Sequence, residues 1–124
     1  MKELVFATNN QHKAQEIQAK IKDTFRILTL QEIGCTEDIV EDGATLDENA
    51  SIKSKHVFVK YGKDCFGDDT GLEIEALNNE PGVFSARYSG SRDTEKNMAL
   101  VLEKLKGNAN RKARFRTVIS LILH

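Results

Sequence analysis

The chain has 124 residues, with 18 Lys and Arg against 19 Asp and Glu and a formal net charge of -1. Hydrophobic residues make up 40% and charged residues 30%, which excludes a disordered tail and describes an ordinary globular chain of one domain, or part of a larger one. No apolar run approaches the roughly 20 residues that span a bilayer, the N-terminus lacks the apolar core of a signal peptide, and the near-neutral balance argues against nucleic acid as a partner.

Leu4-Val5-Phe6-Ala7-Thr8 is a short apolar run consistent with a buried strand. Helical spacing follows, with Ala14, Ile17 and Ile21 on one face. Phe25 to Leu30 reads as a second strand, and the pattern dissolves into an acidic, Gly-punctuated loop from Gln31 to Gly43. Thr45-Leu46-Asp47-Glu48 is a capping box that opens a helix with Ala50, Ser54, Val57, Phe58 and Tyr61 on one stripe and Gly62 as its stop. Cys65 to Asp68 predicts a short strand, and Leu72 to Ala76 alternates like a separate antiparallel one. The cluster around Pro81 is a turn. Asp93 or Thr94 caps a third helix with Met98, Val101, Leu102 and Leu105 at helical spacing, and Gly107 ends it. In the last segment Ala113, Phe115, Thr117, Ile119, Leu121 and Leu123 share one side of a strand, with Arg114 and Arg116 opposite. Alternating strands and helices predict an α/β fold. Val118 to Leu123 is the most apolar stretch of the chain and stops one residue later at His124. A core strand without cover predicts a fragment, or a strand completed by another chain.

Three constellations carry chemistry. Thr8-Asn9-Asn10-Gln11-His12-Lys13 joins a strand end to a helix start, where free amides and the helix dipole favour phosphate. Asn9 and Asn10 tolerate left-handed backbone, and Lys13 adds a point charge. The alternative is a polar turn that caps the helix, and His12 alone says little. In Asp68-Asp69-Thr70-Gly71, adjacent carboxylates point to opposite sides, so one can ligate Mg²⁺ or orient water while the other supports the loop. The alternative is an Asp-rich turn with Gly71 at a positive φ. Lys53 borders the apolar stripe of its helix and either snorkels to water or holds an anion. The basic segment from Lys104 to Arg116 lacks interleaved aromatics and reads as a solvated helix end and loop. Cys35 and Cys65 are too few for a disulfide scaffold, lack metal-site spacing and have no evident base partner, which predicts a reducing cytoplasm and no covalent catalysis.

Taken in order, Phe6 to Lys13, Thr45 to Ala50 with Lys53, Asp68 to Leu72, Pro81 to Gly90 and Ala113-Arg114-Phe115 resemble the inosine triphosphate pyrophosphatase family. The resemblance implies an elongated mixed sheet with flanking helices, two lobes and a cleft between them. It implies Mg²⁺-dependent hydrolysis of deaminated purine nucleoside triphosphates (ITP, dITP, XTP) to monophosphate and pyrophosphate. By the same resemblance Thr8, Asn9, Asn10, Gln11, His12, Lys13 and Lys53 bind the triphosphate, and Thr70 touches the substrate. Asp69 is the general base or the metal ligand that positions water, and Glu41 is the second metal contact, with Asp42 its rival. Homodimers are expected, with neither nucleic acid nor membrane as partner. Residues 1–124 then form a partial domain, the N-terminal two-thirds of such an enzyme, without the part that reads the base. The competing readings are a nucleotide-binding or dimerising fragment without turnover, and a pyrophosphatase for another modified nucleotide.

Overall fold

A computed structural model describes residues 2–124. Its elements are β1 (Lys2–Phe6), α1 (Gln11–Ile21), β2 (Phe25–Leu28), α2 (Leu46–Tyr61), β3 (Cys65–Ile74), β4 (Glu80–Gly82), α3 (Thr94–Lys104) and β5 (Ala113–Ile122). Short 3-10 turns lie at Gln31–Ile33, Glu75–Leu77 and Ser85–Arg87. The strand order is β2-β1-β3-β4, with β5 also paired to β3. β1 runs parallel to β2 and β3 while β4 is antiparallel to β3, so the sheet is mixed and the fold is α/β as expected. No described helix is long and apolar enough to cross a membrane.

The chain divides into two compact units. The first comprises residues up to Gly43, then Asp47–Asp68 and Ile119–His124. Strand alternation builds its core on both faces of the sheet. Leu4 and Phe6 join Ile27 and Phe66 under Ala14, Ile17 and Ile21 of α1. Phe6 and Phe66 stack with ring centroids 4.4 Å apart, a favourable aromatic separation. On the other face Val5, Ala7, Leu28 and Cys65 meet Val57 and Phe58 of α2, together with Ile122 of β5. β2 is the sheet edge, and Gln18 occupies its backbone: Nε2 donates to Phe25 O at 2.9 Å and Oε1 accepts from Ile27 N at 2.7 Å.

The second unit comprises Ala44–Leu46 and Asp69–Val118. Asn97, 7% exposed on α3, organises its irregular stretch. Its Oδ1 accepts from Ser89 N and Oγ at 2.8 and 2.7 Å, and its Nδ2 donates to Ala86 O at 3.1 Å. Asp93 caps α3 by accepting from the amides of Glu95 and Lys96.

Two expectations about strands change. Cys65 to Asp68 and Leu72 to Ala76 do not form separate strands: β3 is continuous over ten residues, and Glu75–Leu77 leaves it as a 3-10 turn. Gly71 is not a positive-φ turn residue. A Cβ there would strike the backbone carbonyl of Gly82, so β4's close approach requires glycine inside the strand. On β5 the predicted sidedness holds, but the apolar side lies open: Phe115, Ile119, Leu121 and Leu123 are 56–77% exposed.

Candidate active site

Parallel strands β1 and β3 pair Val5 with Cys65 and Phe6 with Phe66. Continuing that register sets Thr8 level with Asp68, just beyond the C-terminal end of β1, where open α/β sheets bind ligands. Thr8 Oγ1 accepts from Asn10 N at 3.0 Å, and the Asn10 side chain caps α1 by accepting from Lys13 N at 3.2 Å. The expected left-handed backbone at Asn9 and Asn10 is not found. Asn10 is extended at φ -81°, as a cap requires, and the left-handed non-glycine residues among those described are Asn78 and Asn79. Gln11, His12 and Lys13 are exposed on the first turn of α1.

Lys53 does not snorkel to water. Its side chain is 13% exposed, and Nζ lies 3.1 Å from Glu41 Oε1 and 3.8 Å from Asp68 Oδ1. Lys13 Nζ reaches the other Asp68 oxygen at 3.3 Å. Two ammonium groups and two carboxylates thus form one cluster around Asp68, whose side chain is 12% exposed. Gly67 makes this geometry possible. A Cβ there would lie 2.5 Å from Ala50 O and 3.0 Å from Lys53 Cβ, so glycine lets α2 rest directly on β3. The acidic loop is tied to the same helix by Gly43 N donating to Asn49 Oδ1 at 2.8 Å. Glu41 rather than the exposed Asp42 meets Lys53.

Asp69 and Thr70 continue β3 in the second unit. Asp69 is half-buried with Oδ2 shielded from solvent, and Thr70 Oγ1 lies 2.8 Å from Thr117 Oγ1. This unit also holds an apolar concavity of about 750 Å³ bordered by Leu72, Pro81, Met98, Val101 and Phe115. Part of the basic segment is engaged within the same unit. Arg114 Nε meets Glu73 Oε1 at 2.8 Å, Arg116 meets its other oxygen at 3.5 Å, and Lys104 donates to Tyr88 at 2.9 Å.

Sequence reasoning undervalued Asp68, whose link to both lysines depends on pairing distant in the chain. It also missed a partner for Cys35: His56 Nε2 lies 3.9 Å from the Cys35 sulfur. Burial pushes the Cys35 thiol above its ordinary range. Cys65, fully buried and donating to Ser54 O at 3.1 Å, is pushed up to about 11 by the same cause.

With this geometry in place, the comparisons define the class. The Ham1 family model matches residues 4–124, and the chain belongs to the Ham1 family. It is 50% identical over 121 residues to the dITP/XTP pyrophosphatase of Flavobacterium johnsoniae, covering 97% of this chain and 63% of that protein. It is 52% identical over 120 residues to the enzyme of the same name from Flavobacterium psychrophilum, covering 96% and 63%. The solved HAM1 protein of Coxiella burnetii superposes with a TM-score of 0.91 at 39% identity, over 98% of this chain and 64% of that one. The chain therefore spans a little under two-thirds of the length of these relatives.

Proposed function

We propose that this chain carries the phosphate- and metal-handling part of a nucleoside-triphosphate pyrophosphatase that converts dITP, ITP and XTP to the monophosphate and pyrophosphate. The observation that supports this most is the convergence of Lys13, Lys53, Asp68 and Glu41 beside the C-terminal end of β1, at the fourth residue of β3. The names of the relatives supply the substrate class. The reading extends to Mg²⁺ as cofactor, a homodimer, and a cytoplasmic nucleotide pool.

The donor set fits that ion. The carboxylates that the resemblance assigns, Glu41 and Asp69, are hard oxygen donors free of sulfur and imidazole, which suit Mg²⁺. Glu41 and Asp69 would hold it, and when bound it would neutralise developing charge on the phosphate oxygens. Thr8, Asn9, Asn10, Gln11 and His12 offer the amides and side chains around the α1 N-terminus to the phosphates. Lys13 and Lys53 offset phosphate charge, and Asp68 fixes the direction of both ammonium groups. Thr70 touches the substrate beside Asp69. Asp69 takes a proton from water as its oxygen bonds to the α-phosphorus. The bond from that phosphorus to the α,β-bridging oxygen breaks, and pyrophosphate leaves without a covalent enzyme intermediate.

The experiment is pyrophosphate release from dITP, XTP, ATP and GTP with Mg²⁺, alongside nucleotide binding by the same chain. Release selective for dITP and XTP and abolished by Asp69→Asn is the expected result. Lys13→Ala should weaken triphosphate binding by roughly tenfold, the loss of one charged contact. Release from Asp69→Asn equal to the parent would remove that residue from the chemistry. A second reading is nucleotide binding without turnover. Affinity for dITP with no pyrophosphate release would select it, and release confined to another modified nucleotide would change the substrate.

A further inference from the structure

On the first unit, one turn of α2 beyond Lys53, a second group of ligating side chains converges. The chain leaves the Gln31–Ile33 turn through Gly34, left-handed at φ +79°, and Cys35 N then donates to Leu30 O at 3.0 Å. This turns the Cys35 sulfur inward, 3% exposed, toward α2. Two residues later Glu37 lies against the same helix, its Oε2 2.9 Å from His56 Nε2. Cys35 sulfur, Glu37 oxygen and His56 nitrogen all lie within 4.8 Å of one another. We infer that Cys35, Glu37 and His56 form a binding site for a borderline transition ion, Zn²⁺, with water as the fourth ligand.

The distances suit that ion. Tetrahedral Zn²⁺ with ordinary bond lengths separates a sulfur from a nitrogen ligand by about 3.6 Å, and a nitrogen from an oxygen ligand by about 3.4 Å. Two of the three pairs stand at 3.9 and 2.9 Å, within about 0.3 and 0.5 Å of those separations, and the sulfur and carboxylate oxygen lie within 4.8 Å. One thiolate and one carboxylate balance the charge of Zn²⁺. A mixed sulfur, nitrogen and oxygen set excludes Mg²⁺ and separates this site from the oxygen-only one. An ionised carboxylate only accepts, so His56 carries its proton on Nε2 in the metal-free chain. The ion takes that position, the proton moves to Nδ1 through solvent, and the thiol proton is released to water.

Lys60 is the competing charge. Its Nζ lies 2.5 Å from Glu37 Oε2, holding that carboxylate well below the usual range, while its side chain is 55% exposed and free to swing into water. Tyr61 donates to both Glu37 oxygens and keeps the carboxylate in place. Glu37 stands four residues before Glu41, and His56 three beyond Lys53. An ion here would join the acidic loop to α2.

The test is Zn²⁺ titration calorimetry on the reduced chain, paired with the absorption spectrum of the Co²⁺ form. One ion per chain and a thiolate-to-cobalt charge-transfer band are expected. Cys35→Ser should remove the band and weaken Zn²⁺ by more than about tenfold, since even groups that merely support metal ligands account for that much. His56→Ala, at a half-exposed position, provides the same test without disturbing the core. Lys60→Gln should tighten Zn²⁺ about fivefold, the effect of removing one screened like charge near 4 Å. Cys65→Ala should keep the band. Absence of the band, or Zn²⁺ affinity unchanged in both Cys35→Ser and His56→Ala, would overturn the site.

Discussion

At the scale of single residues, the two lysines around Asp68 differ in what they contribute. Lys13 is 47% exposed at its side chain and Lys53 only 13%. Lys53→Met strips the inner charge from Asp68 and Glu41 and should lower stability by about 2 kcal/mol. Lys13→Met should cost less than about 1 kcal/mol, because water screens and replaces its contact. Urea unfolding of the two variants checks the order. A larger loss for Lys13→Met would mean that Lys53 is not the charge that holds the cluster. The residues of this cluster were legible unevenly in the sequence. Lys13 stands out because it opens a helix after a strand, and Asp68 and Asp69 because paired carboxylates are conspicuous. The contact of Asp68 with both lysines was not legible, since Lys13 reaches it through the parallel pairing of β1 with β3 across 60 residues and Lys53 through the packing of α2 on β3 at Gly67. The Cys35–His56 pair was hidden for the same reason, its members lying 21 positions apart.

At the scale of elements, the packing of α2 on β3 hinges on Gly67. Gly67→Ala would bring a methyl group to 2.5 Å from Ala50 O and force the helix outward. It should destabilise the chain by roughly 1–3 kcal/mol, the usual range for overpacking. It should also weaken nucleotide binding, by moving Lys53 away from Asp68. Thermal unfolding and a binding titration read the two effects, and unchanged stability would show that α2 yields freely. The helices were readable because their signals are local: Asn10 and Asp93 cap α1 and α3, and Gly62 at φ +63° follows α2. β3 was misread as two strands because Asp68-Asp69-Thr70-Gly71 has the composition of a turn. The true reason for Gly71 is the Gly82 carbonyl, a neighbour that local composition does not reveal.

At the scale of the whole molecule, the open side of β5 governs behaviour in solution. Large apolar side chains exposed along one strand favour contact with other chains. The chain by itself should scatter light as more than a monomer. Ile119→Lys with Leu121→Lys should return it toward monomer, and a monodisperse parent monomer would defeat this expectation. The opposite side of the same strand is committed at several points: Arg114 and Arg116 to Glu73 in one unit, Ser120 Oγ to Ser54 Oγ at 2.8 Å in the other, with Ile122 in the core. Substitutions on the open side leave this sidedness intact. Loss or gain of one residue between Arg114 and Ser120 would exchange the sides for every position beyond it. A gain would bring Ile119 and Leu121, and a loss Leu121 and Leu123, to the places of Ser120 and Ile122, and turn the polar partners outward. The strand should therefore accept varied side chains at Ile119 and Leu121, yet tolerate no change in its length.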